Sequence, residues 1–277
     1  MKKQESIYPE NLILSNVINY FLELIILIIS GFGSGVFVGM GSGTTGSIMI
    51  MSLTVFCDYP IHQAIGTSLL IDCIIGGIAG FIFLKKGKSN FRPAFLIAGT
   101  GAVGSFIGSQ FTSSAPEMEL IVIISAILII LGISFIVKGL QQNIDYFRKK
   151  GKVQRFKENK TLFFVAFGLI AGASSGFTGM GIGGVVALVL MLILDYDIHT
   201  AIGTALLSIM FISGAGAIGH VLNNEVLFSA GLIAGSAAVV GAIFGSFAAN
   251  KINEEKLGRI VGLLILIMGI ILLFRVF

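Results

Sequence analysis

Charge is what this sequence has least of. Its 277 residues carry 18 Lys+Arg and 14 Asp+Glu, 12% together, whereas about a quarter of an ordinary soluble domain is charged. A water-soluble enzyme needs a polar surface that this composition cannot supply. A nucleic-acid binder needs its basic residues gathered on one face, and here they sit in short stretches between apolar runs. Cysteine is scarce too: Cys57 and Cys73 lie in or beside apolar segments, too few for a disulfide framework or a thiolate metal site. The three histidines show no HExxH pairing, which leaves a zinc hydrolase without ligands. No nucleophile–base pair is visible, so no catalytic residue, metal or cofactor is expected. The N-terminus, Met1-Lys2-Lys3 with polar residues to Asn11, has no short apolar core before a small-residue cleavage site; no cleaved signal peptide is expected.

What remains is apolar residues, 55% of the chain, with a mean hydropathy of +0.99 and 37 glycines. That composition predicts an all-α polytopic membrane protein. Six segments are long enough for a hydrocarbon core, which takes about 20 residues: Ile61–Leu84, Pro93–Phe111, Met118–Val137, Ile198–Leu222, Val226–Ala249 and Lys256–Phe274. Each trio follows a glycine-rich stretch between two shorter apolar runs. The first is Leu22–Ser30, Gly31–Gly46 and Ser47–Cys57; the second is Thr161–Ala171, Gly172–Gly184 and Val185–Leu194. Runs of this length span roughly half the core at 1.5 Å per residue, which predicts a half-helix in, an irregular loop at depth and a half-helix out.

The halves are copies. Asp58–Leu70 reads DYPIHQAIGTSLL and Asp195–Leu207 reads DYDIHTAIGTALL, identical at ten of 13 positions, 137 residues apart. GMG recurs at 39–41 and 179–181, and Gly104 and Gly108 recur as Gly241 and Gly245. Twelve of the 18 basic residues lie in 85–92 and 138–160, and Lys/Arg-rich loops face the cytoplasm. Parity then places the Asp58 loop outside and the Asp195 loop inside, so the repeats are expected to have inverted topology, each a re-entrant or broken helix pair plus three transmembrane helices. The expected division is an N-terminal segment 1–20, repeat 1 over 21–139, a basic cytoplasmic linker 140–160 and repeat 2 over 161–277. Inverted repeats with interrupted helices point to a secondary transporter's binding site near the bilayer midplane.

Irregular backbone at that depth persists only where protein or a wet cavity surrounds it. Its amides, feeding a helix N-terminus, favour an anion. The expected substrate-binding residues are Gly41, Ser42, Gly43, Thr44 and Thr45 from the first break and Gly181, Gly183 and Gly184 from the second. Ser174, Ser175 and Thr178 add hydroxyls there. Thr67, Ser68 and Thr204 of the two AIGT elements are further donors, with bonding to the i−4 carbonyl as the alternative. Packing against a neighbouring helix is the alternative for the glycines. Asp72, the one acid deep inside a span, is a proton-coupling candidate, as are His62 and His199 at helix starts; His220, at the far end of its span, reads as interfacial.

The paired motifs GMGSG (39–43) with AIGTS (64–68) and GMGIGG (179–184) with AIGTA (201–205) resemble the sulfite exporter TauE/SafE family, over about residues 20–276. The resemblance implies transport of small sulfur-containing anions, such as sulfite, sulfoacetate or related organosulfonates, across a plasma membrane. The reading that results is an alternating-access transporter, with a small anion and the lipid bilayer as partners and no nucleic acid. A passive anion channel and a non-transporting scaffold are the alternatives.

Overall fold

The computed structural model describes residues 7–40, 45–149, 159–249 and 254–274, and every regular element among them is helical. Helix α1 spans Ile7–Gly39. α2 is Gly46–Met51, prolonged by a π-helical turn over Ser52–Phe56. α3 is Ile61–Lys85, α4 Phe91–Ser114 and α5 Glu117–Lys149. The second half repeats the series as α6 Lys160–Thr178, α7 Gly183–Ile193, α8 Ile198–Leu222, α9 Phe228–Ala249 and α10 Glu254–Phe274. Among the described residues, seven helices are long and apolar enough to cross a membrane: α1, α3, α4, α5, α6, α8 and α9.

Both glycine-rich stretches depart from expectation. α1 continues through Ser30 to Gly39, and α6 continues through Ala171 to Thr178. Most of the predicted loop is therefore helix, and the interruptions shrink to the gaps before Gly46 and before Gly183. Spacing is the reason. Gly31, Gly35 and Gly39, like Gly168, Gly172 and Gly176, recur every four residues and so line one helix face. A Cβ on Gly31, Gly35 or Gly39 would overlap the backbone of Ala234, Ala238 or Ala242 on α9. One on Gly172 or Gly176 would overlap Gly101 or Ser105 on α4. These glycines permit backbone-to-backbone packing, the small-residue mode of membrane helices. The shared GMG is also out of register: Gly39 is a packing residue, whereas Gly179 is the left-handed C-cap of α6 (φ 68°).

One other left-handed pair keeps the 137-residue offset seen between Asp58 and Asp195. Asp58 (φ 57°) and Asp195 (φ 56°) end the short helices, and Gly87 (φ 67°) and Asn224 (φ 58°) follow α3 and α8. Asp and Asn are the side chains that tolerate this left-handed region. The caps of α3 and α8 are Pro60 and Asp197, whose carboxylate accepts from the amides of His199 and Thr200.

The close helix pairs each join opposite halves of the chain. α1 lies along α9 and α6 along α4, both in parallel, while α3 packs antiparallel on α8 and α5 on α10. One apolar cluster gathers α1, α2, α3, α5, α9 and α10 with Leu206 and Ile209 of α8; the other gathers α4, α6 and α7 with Ala201, Ala205 and Ile212 of α8. Two bundles result, joined through α8: the first holds α9 and α10 from the second half, and the second holds α4 from the first.

Candidate functional site

The two interruptions touch. Gly46, the first residue of α2, lies so close to Gly179 and Met180 that a Cβ there would overlap their backbone. Ser68 on α3 donates to the Gly179 carbonyl at 2.8 Å. One turn further along α3 stands Asp72, about 16 Å from the helix start at 1.5 Å per residue and 4% exposed. Its Oδ1 accepts from the Thr45 hydroxyl. Its Oδ2 has no protein partner and faces Gly181, where a Cβ would fall within the carboxyl group. Thr45 from one break and Gly181 from the other thus meet at a single acid.

The other side of this centre is apolar. The positions 137 residues beyond Thr45 and Asp72 are Ile182 and Ile209. Beside them lies a cavity of about 10 Å³ lined by Val38, Gly183, Gly184, Ala187, Ile202 and Ile209, among others. That is room for roughly one water. The duplicated frame therefore holds a polar half and an apolar half.

Of the residues expected to bind substrate, Thr45, Ser68 and Gly181 gather at Asp72, with Gly183 and Gly184 next to them along the cavity. Gly41, Ser42, Gly43 and Thr44 lie outside the described residues. Thr67 and Thr204 stand elsewhere. Thr67 Oγ1 accepts the Leu227 amide at 3.0 Å, and Thr204 Oγ1 accepts the Asn90 amide at 3.0 Å while donating to the Thr200 carbonyl at 2.6 Å. The preceding glycines, Gly66 and Gly203, take the Glu225 and Lys88 carbonyls where a side chain would be. Each AIGT element holds a loop from the opposite half.

The histidines expected as proton carriers lie at helix starts, away from Asp72. His62 Nε2 is 3.0 Å from the Ala115 carbonyl, and His199 is half-exposed, 4.0 Å from Asp197. Hydrogen bonds from Thr200 hold the Asp197 carboxyl below its usual range. Tyr59 donates to Glu23 at 2.7 Å; that bond, with burial, pushes its hydroxyl up to about 12. His220, expected to be interfacial, is instead fully buried and 2.7 Å from Glu225, a pairing the sequence reading did not foresee. The signal available was a histidine and an acid flanking the turn at Asn223-Asn224. Among the described residues no three His, Cys, Asp or Glu side chains come together to hold a metal.

Comparison with known proteins agrees in kind. The family model described as "Sulfite exporter TauE/SafE" matches residues 27–272. A protein named probable membrane transporter protein YdhB, from Bacillus subtilis (strain 168), is 27% identical over 91% of this chain and 100% of its own length. Its compatriot named YunE is 21% identical over 92% of this chain and 98% of its own. A probable membrane transporter protein of Xylella fastidiosa (strain Temecula1 / ATCC 700964) is 23% identical over 88% and 94%. No solved structure matches at a significant level.

Proposed function

The chain belongs to the sulfite exporter TauE/SafE family of membrane transporters, is itself a multi-pass membrane protein, and from that premise we propose that it moves a small sulfur-containing anion by proton-coupled alternating access. The observation that carries the reading is the meeting of both interruptions at Asp72. Amides of the second break and the start of α7 supply anion-binding donors, and the hydroxyls of Thr45 and Ser68, whose protons go to Asp72 and to the Gly179 carbonyl, position them. The buried ionisable side chains among the described residues are Asp72 and His220, so the centre offers no Lys or Arg to an anion. An ionised Asp72 would repel the substrate in a medium that screens poorly. A protonated one would leave the amides free to bind. Proton and anion therefore travel together.

The two halves act as inverted repeats in this reading, supported by the 137-residue correspondence of left-handed residues and glycine contacts. Rocking of one sequence half against the other would pull apart the α1–α9 and α4–α6 glycine faces. The moving bodies are instead the two mixed bundles, hinged where α3 meets α8, and the small cavity marks an occluded conformation. A thermal-shift survey with sulfite, thiosulfate, sulfoacetate, sulfate and taurine tests the substrate class. Stabilisation by sulfur oxyanions or sulfonates, stronger at acid pH, is expected; no response to any of them removes the substrate assignment.

A further inference from the structure

The two ends of the helix assembly share a backbone plan and differ in side chains. At one end Gly66 of α3 takes the Glu225 carbonyl, and its missing Cβ would stand 2.8 Å from the His220 Cβ. At the other, Gly203 of α8 takes the Lys88 carbonyl, and its missing Cβ would stand 2.8 Å from the Phe83 Cβ. His220 and Glu225 thus occupy the places that Phe83 and Lys88 occupy opposite. His220 is fully buried. Its Nδ1 is 2.7 Å from Glu225 Oε2 and its Nε2 is 3.2 Å from the Gly176 carbonyl near the end of α6. A carboxylate and a carbonyl can only accept, so a ring nitrogen that carries a proton donates to whichever of the two it faces. Ser113 of α4 donates to the same Oε2 at 2.8 Å, and Asn223 donates to Ser113 at 3.0 Å.

This cluster ties one bundle to the other. The Glu225 loop is fixed to α3 by the Leu227 amide on Thr67 and by the Gly66 notch. His220, Ser113 and Gly176 belong to the bundle of α4, α6 and α8. Gly176 lies one turn before the second interruption, so whatever holds its carbonyl holds the approach to the central site. We propose that the His220–Glu225 pair is a gate latch that clamps the two bundles at this end and must release before the centre opens there. Among the described residues Phe83 and Lys88 form no such side-chain pair, and that end opens more easily. By the placement of the basic loops, the latched end is the outer one. The latch rests on the two-bundle movement proposed above, but not on the identity of the substrate.

His62 on α3 bears on the pair, its charge acting on Glu225; Glu117 at the start of α5 accepts the amide of the neighbouring Ile61 at 3.1 Å. Burial pushes the Glu225 carboxyl up, but hydrogen bonds from His220 and Ser113 and the charges of His220 and His62 outweigh it and hold the group below its usual range. A depressed carboxyl contributes its stabilisation above its unfolded pKa and loses it as pH falls through the folded value. The latch is therefore closed at neutral pH and released by acid.

Hydrogen exchange on the full chain in nanodiscs, without substrate, tests this. Glu225→Gln should speed exchange in 176–182 and 223–227 by roughly tenfold or more, the scale of losing a charged hydrogen bond. Lys88→Gln at the opposite end should change neither segment. Corrected for intrinsic rates, acidified wild type should approach the Glu225→Gln rate, and the variant itself should show no further acid response. Unchanged protection in Glu225→Gln overturns the proposal. So does an equal effect of Lys88→Gln, or loosening of every helix, which would make the pair a general folding contact. Because no anion is present, these results stand apart from success or failure of the substrate survey.

Discussion

At the scale of single residues, the glycines separate into those that touch backbone and those that do not. Gly35 and Gly172 have no space for a Cβ, whereas Gly33, in the same helix as Gly35, has nothing within 4 Å of that position. Gly35→Val and Gly172→Val should each destabilise the protein by about 1–3 kcal/mol through overpacking. Gly33→Ala should be neutral or gain up to about 1 kcal/mol from reduced chain freedom. Melting temperatures in detergent distinguish the three variants. An equal loss in all of them would mean the stretch is irregular loop after all. The same contrast shows what could be read beforehand. Glycine density alone suggested a break, but the four-residue spacing already encoded a helical face, and only the partner's backbone decides between the two. Asp72 stood out as a lone acid in an apolar span; that Thr45 would be its partner needed the two breaks to be placed in space.

At the scale of elements, the AIGT motif was legible as a repeated device, and its task was not. A threonine one turn inside a helix reads equally as a ligand donor or as a backbone clamp, because sequence does not say which loop will lie beside it. Here Thr67 and Thr204 receive amides from loops of the opposite half. Thr67→Val and Thr204→Val should each cost about 0.5–1.5 kcal/mol, the net worth of a part-buried hydrogen bond. The two losses should add, since the sites lie at opposite ends of the assembly. Anion affinity per folded molecule should hold. Loss of affinity at unchanged melting temperature would return these hydroxyls to the binding site. The short helices were visible from their length and from the Asp that ends each one. The length of α1 and α6 was not, since nothing in their own sequence reveals α9 and α4 alongside.

At the scale of the whole molecule, duplication was evident from the chain, whereas the exchange of helices between halves was not. Exchange is a property of contacts between segments far apart in sequence, and those contacts decide what can move. Gly214 on α8 offers a direct handle: its missing Cβ would lie 3.2 Å from the Cys73 sulfur on α3, close to disulfide geometry. Gly214→Cys in a Cys57→Ser background should oxidise to a Cys73 crosslink that pins one bundle to the other. Flux should stop on oxidation and return on reduction. Undiminished flux in the fully crosslinked protein would show that α3 and α8 do not move relative to each other.

The central claim, that a proton on Asp72 accompanies the anion through the meeting point of the two breaks, is tested most directly by Asp72→Asn in proteoliposomes. With a labelled sulfur oxyanion, wild type should concentrate substrate when a pH gradient is imposed. The variant, permanently uncharged there, should still exchange labelled for unlabelled anion but should not accumulate it against a gradient. Accumulation by Asp72→Asn equal to wild type would contradict the account.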